Sequence, residues 1–85
     1  MRIFYSSKFE RDYRKLPDHI KKIAEVKERA FRKNPFDPQL NTHKLNGRLK
    51  EFWAMSINQK YRIIFESADK NTVWFHSIGD HSMYQ

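Results

Sequence analysis

Residues 49–84, LKEFWAMSINQKYRIIFESADKNTVWFHSIGDHSMY, leave the chain few folds to choose from. Tyr61, Ile63 and Phe65 alternate with Arg62, Ile64 and Glu66, the two-residue period of a half-buried strand. Residues 51–57 before this run are aromatic and apolar, and residues 72–78 after it (TVWFHSI) are mostly apolar. Asn58-Gln59 and residues 68–71 read as tight polar turns. Connections this short join antiparallel neighbours, so the stretch predicts a meander. Its third strand is expected to be central, and Gly79-Asp80 to break it.

Two helices precede the meander. Phe9, Tyr13 and Leu16 fall at i, i+4 and i+7, one helical stripe. Ser6 and Ser7 are good N-cap residues, and Glu10 stands three after Ser7, the capping-box spacing. Pro17 stops this helix or starts the next. Residues 18–33 place Ile20, Ile23, Ala24, Lys27, Ala30 and Phe31 on one face and basic or acidic residues on the other. Pro35 closes the helix. Residues 34–42, with two prolines and several turn formers, predict a loop from which His43 and Lys44 lead toward the sheet. Arg2–Tyr5 is β-prone and free to join the sheet later. Helices first and strands last predict an α+β fold, an N-terminal helical hairpin packed on a small, mainly antiparallel sheet of three or four strands.

Eighty-five residues suit one domain, residues 1–85, with one modest core. Thirteen aromatic residues give that core area. The absence of cysteine excludes disulfides and thiolate metal sites. No apolar run reaches the roughly 20 residues of a membrane-spanning helix, and the N-terminus does not resemble a signal peptide. A cytoplasmic protein without a membrane partner is expected. The net charge is +7, of which residues 1–33 carry +6. Such a field suits a polyanion or an acidic protein partner, or it is a lysine-rich solvated surface.

Arg62 is the residue out of place. Strand alternation turns it away from Tyr61, Ile63 and Phe65, toward the face opposite the helices. There it either pairs with Glu51 or Glu66 or offers a guanidinium fork to a phosphate. His81 follows a strand end, where a rigid element positions a side chain that titrates near neutrality. Tyr84 either anchors the tail or meets a ligand. His43 and Lys44 are expected on the loop beside the sheet, and His76 reads as a core or edge histidine. The four histidines are scattered, with no metal-binding spacing, so neither metal nor other cofactor is expected. Histidines, an arginine, lysines and a tyrosine suffice for RNA cleavage through the 2′-hydroxyl. A base takes the 2′-OH proton, a cation stabilises the phosphorane, and an acid protonates the leaving 5′-oxygen.

The segments HKLNG, FWAMSINQKYRIIFE and WFHSIGDHSMY, in that order after two helices, resemble the RelE/ParE superfamily of type II toxin–antitoxin toxins. Leu45-x-Gly47 and Tyr61-Arg62-Ile63-Ile64 carry the likeness, and the tail from Ile78 to Tyr84 is similar to the RelE/YoeB/YafQ-like branch. The resemblance implies a metal-independent mRNA interferase, commonly acting in the ribosomal A site and neutralised by a cognate antitoxin. It implies catalytic roles for His43, Arg62, His81 and Tyr84, and RNA contacts for Lys44, Arg48, Lys50 and Trp53. It departs from RelE itself, whose strand lysines align with Trp53 and Met55; that favours histidine chemistry. The alternatives are a ParE-like inhibitor of DNA gyrase and a non-catalytic RNA-binding domain.

Overall fold

A computed structural model describes residues 1–80 of the 85. Its elements are β1 (Arg2–Tyr5), α1 (Ser7–Arg14), α2 (Asp18–Lys33), β2 (His43–Lys44), β3 (Trp53–Ser56), β4 (Tyr61–Asp69) and β5 (Thr72–Asp80). Single 3-10 turns at Pro38–Leu40 and Gly47–Leu49 punctuate the connections around β2. The fold is α+β, as expected, with two helices on one face of a mixed sheet.

The sheet has five strands in the order β1-β5-β4-β3-β2, against the three or four expected. The extra strand is β2, where a loop was expected. His43 pairs with Ala54 and Lys44 with Trp53, making a two-residue edge. Nothing in the local pattern of two polar residues announces a strand; the ladder on β3 creates it. β1 joins β5 in parallel, with Phe4 opposite Trp74, a pairing across about seventy residues. β5 is therefore interior, but the middle strand is β4. Gly79 and Asp80 do not end β5: they pair with Arg62 and Tyr61, because β4 supplies a ladder that far.

Ser6 caps α1, its Oγ accepting from the Phe9 N–H at 2.9 Å, so Glu10 falls one residue too late for a capping box. The same hydroxyl donates to the His76 carbonyl at 2.6 Å, which ties the helix start to β5. Pro17 stands at the N-cap of α2. The stripes read from the sequence are buried: Phe9, Leu16, Ile20, Ala24 and Phe31 meet Met55, Ile63, Phe65, Val73, Phe75 and Ile78 in one cluster. Phe31 is its centre, fully buried, with ring centroids 4.9 Å from Phe65 and 5.5 Å from Phe75.

Candidate active site

Ladder register decides which side chains share a face, because directly opposed residues point to the same side. Ile63 and Phe65 lie in the helix-facing core. Arg62, Ile64 and Glu66 therefore face outward, as the alternation predicts. Arg62 stands opposite Ser56 and Gly79, Ile64 opposite Ala54 and Ser77, and Ala54 opposite His43. His43 and Arg62 thus share the outer face. Two strand spacings and two residues along the strand separate their Cα atoms, roughly 12 Å.

The outer face is not bare. Leu45, Ala54 and Ile64 make a second buried cluster, with Leu49 and Phe52 against it. The chain turns over the sheet through Gly47, at φ 66, a conformation that glycine adopts without penalty. This flap carries Arg48 and Lys50, both exposed. It leaves Arg62 half-buried at its margin.

Arg62 is fixed from behind. Its Nη1 donates to the Asn58 carbonyl at 2.6 Å and to the Tyr61 carbonyl at 3.0 Å, holding the guanidinium on the β3–β4 turn. That turn is itself closed by Asn58, whose Oδ1 accepts from the Lys60 and Tyr61 N–H groups. Among the described residues Arg62 forms no ion pair with Glu51 or Glu66. Among the described residues its partners are two carbonyls, which orient the group without opposing its charge.

His43 is exposed, and its Nδ1 lies 2.9 Å from the Asn41 carbonyl oxygen. A carbonyl only accepts, so Nδ1 carries a proton. In the neutral ring the lone pair is then on Nε2, which points away from that bond. Asn41 sits at φ 48, a left-handed conformation that asparagine tolerates.

The residues named from the sequence fall into separate groups. His43 and Arg62 share the outer face, with Arg48 and Lys50 on its flap. Lys44 and Trp53 do not join them. They pair with each other and Trp53 with Phe65, which puts both on the helix side of the sheet. Trp53 packs edge-on against Phe36 at 5.5 Å, and the Lys44 Nζ lies 5.9 Å from the Trp53 ring. One residue of register separates His43 from Lys44, and strand geometry sends them to opposite faces. His81 and Tyr84 lie outside the described residues. His76 is neither core nor edge. A register shift pairs Ile64 with Ser77 but Phe65 with Phe75, leaving His76 bulged and exposed, 5.1 Å from the Phe52 ring. Among the described residues no three His, Asp or Glu side chains gather as a metal set.

A cavity of about 420 Å³ lies on the other side of the sheet, between the helices and β1. Its walls include Glu10, Glu25 and Glu28 against one arginine, Arg14, a balance hostile to phosphate. Tyr5 and Tyr13 border it, and Tyr5 donates to Glu28 Oε2 at 2.5 Å. Burial, then Glu28, pushes the Tyr5 hydroxyl above its usual 10.0, and burial with Glu25 and Glu28 does the same at Tyr13. The folded state holds both protons more tightly than the unfolded one. Their contribution to stability is complete below pH 10 and is lost as pH rises through the raised values. Phenolate absorbance should show both groups ionising later in the native protein than in denaturant, and Tyr5→Phe should remove one late step.

The model of the family described as the bacterial toxin of type II toxin–antitoxin systems, YafQ, matches residues 1–84. No curated protein matches the sequence. Among solved structures, YafQ from E. coli strain BL21(DE3) superposes with a TM-score of 0.80 at 19% identity, over 99% of this chain and 98% of that one. A YoeB/ParE toxin from Agrobacterium tumefaciens gives 0.79 at 15% identity, over 95% and 99%. The YoeB–YefM complex from Staphylococcus aureus gives 0.77 at 19%, over 95% and 97%. At these identities the likeness is one of fold.

Proposed function

The chain belongs to the YafQ family of bacterial toxins of type II toxin–antitoxin systems, and from that premise we propose that it is a metal-independent endoribonuclease that cleaves mRNA. The substrate supplies the nucleophile, its own 2′-hydroxyl. His43 Nε2 takes the 2′-OH proton as the bond from O2′ to phosphorus forms. Arg62 stabilises the added charge on the phosphorane. The bond to the 5′-oxygen then breaks, and His81 supplies the proton that the leaving oxygen needs. Tyr84 stacks on a substrate base or assists that transfer. Arg48 and Lys50 hold flanking phosphates. Lys44 and Trp53, on the helix side of the same edge, meet RNA where it rounds β2. The chain acts as one toxin domain on mRNA in the ribosomal A site.

The observation that supports this reading most directly is the pair on the outer face. One group is an imidazole whose Nδ1 bond leaves Nε2 as acceptor, and the other a guanidinium whose partners among the described residues are carbonyls. The second partner is a cognate antitoxin. The Staphylococcus aureus YoeB neighbour was solved in complex with YefM, and a +7 chain suits an acidic antitoxin segment.

Mapping transcript ends after brief induction tests the reading. The wild-type chain is expected to produce new ends within coding regions. Arg62→Ala should reduce cleavage by about two to three orders of magnitude, the cost of losing one preorganised donor to a developing oxyanion. Intact transcripts with induction of the DNA-damage response would instead mark a gyrase inhibitor.

A further inference from the structure

Phe4 and Trp74 are large, apolar and exposed, by 37% and 42%. They are opposed in the β1–β5 register, and their rings lie 5.1 Å apart at 27°. The Arg2 guanidinium sits 5.4 Å from the Phe4 centroid. Register fixes their side of the sheet. Ile3 and Val73, the preceding opposed pair, pack in the helix-facing core, so Phe4 and Trp74 face outward. Trp74 is also opposite Glu66, four residues along β4 from Arg62. The aromatic pair and the His43–Arg62 pair are therefore on one surface, about 14 Å apart along the ladder. The bulged His76 continues the aromatic run toward Phe52, on the flap that carries Arg48 and Lys50.

We propose that Phe4 and Trp74, flanked by Arg2, are a stacking platform for the nucleobases of single-stranded RNA a few nucleotides from the phosphate held at Arg62. This rests on the ribonuclease reading of the outer face. The two rings stack on each other and Arg2 lies over Phe4, so a base adds to this aromatic column on the remaining exposed surface of Trp74, whatever its sequence. The cation beside them answers the phosphate between successive bases. The flap carries Arg48 and Lys50 for the phosphates of a strand running from platform to Arg62, while Glu66, opposite Trp74 on the same face, favours seating a base rather than a phosphate beside Trp74. Selectivity here is for unpaired RNA, since a paired base hides its face in the helix.

The test is the affinity of the full chain for a short fluorescein-labelled single-stranded RNA, 2′-O-methylated so that it cannot be cleaved, at several salt concentrations. Trp74→Ala should weaken binding about tenfold, the loss of one base stack. Trp74→Phe, which keeps a ring, should bind within about twofold of wild type. Arg2→Ala should lower the salt slope by about one. Equal affinity of Trp74→Ala and wild type, no binding by wild type, or equal weakness of the Phe and Ala variants overturns the platform. So does a Trp74→Ala variant that loses an acidic partner protein but keeps its affinity for RNA, since the patch is then a protein interface. Cleavage of the unmodified RNA, presented on ribosomes programmed with it, separates the two readings. Cleavage without dependence on Trp74 sinks the platform alone, whereas Trp74-dependent binding without cleavage sinks the ribonuclease reading and leaves the platform standing.

Discussion

Replacing His43 with alanine is expected to lower the single-turnover rate of RNA cleavage by about two to four orders of magnitude, the contribution of a well-placed general base. The side chain is exposed and makes one bond, to the Asn41 carbonyl, so the variant should melt within a degree or two of wild type. That separation of activity from stability is the point of the experiment. The loss should fall on kcat rather than on RNA affinity, because a base acts on the proton in flight and holds little of the substrate. Adding the Arg62→Ala change should cost less than the product of the two single losses if both groups serve one transition state. A His43→Ala variant that cleaves at the wild-type rate would remove the base from the proposed site. The Arg62 fork and the family membership would be untouched by that result.

The second large effect is on the fold. Phe31→Ala is expected to cost about 3–5 kcal/mol. The ring is fully buried and lies edge-on to both Phe65 and Phe75. Domains gain roughly 0.05–0.15 kcal/mol per residue, which for 85 residues is about 4–13 kcal/mol in all. One truncation therefore removes about a quarter of the stability at best and unfolds the chain at worst. Urea unfolding should show the midpoint falling by about 1 M or more. Phe31→Leu, which refills most of the volume, should recover the greater part. A midpoint unchanged in Phe31→Ala would mean that α2 is not seated on β4 and β5 through this ring. The same helix places Glu25 and Glu28 on the acid-rimmed cavity, so loss of its seating should also bring the ionisation of Tyr5 and Tyr13 back toward the usual range.

Much of the site was legible because strand alternation is local. The outward direction of Arg62 follows from Ile63 and Phe65 being apolar neighbours on β4, whatever the rest of the chain does. The cap at Ser6, the stripes of α1 and α2 and the turn at Asn58 are local in the same sense. His43 was legible as a residue type but not as a strand residue. Two polar residues have no period, and only the ladder on β3 makes them an edge. Lys44 and Trp53 are grouped with His43 through the family resemblance, which does not carry the register. The pleat then sends them to the other face. His76 looked like a structural histidine in an apolar run, and a one-residue bulge put it in solvent. No composition signals that bulge, since it depends on where β4 and β5 drop out of step.

The sequence by itself determined the two helices, the three-strand meander, the face to which Arg62 points and the family, because period, capping and motif are properties of neighbours in the chain. Only the tertiary structure decided that β1 lies parallel to β5 and that β2 exists. It also decided that Leu45, Leu49 and Phe52 cover the outer face, and that Phe4 and Trp74 meet on the surface that carries Arg62. Each of these depends on pairing between segments tens of residues apart. Register, which a shift of one residue reverses for every side chain it touches, is fixed there by burial of the whole core rather than by any local signal.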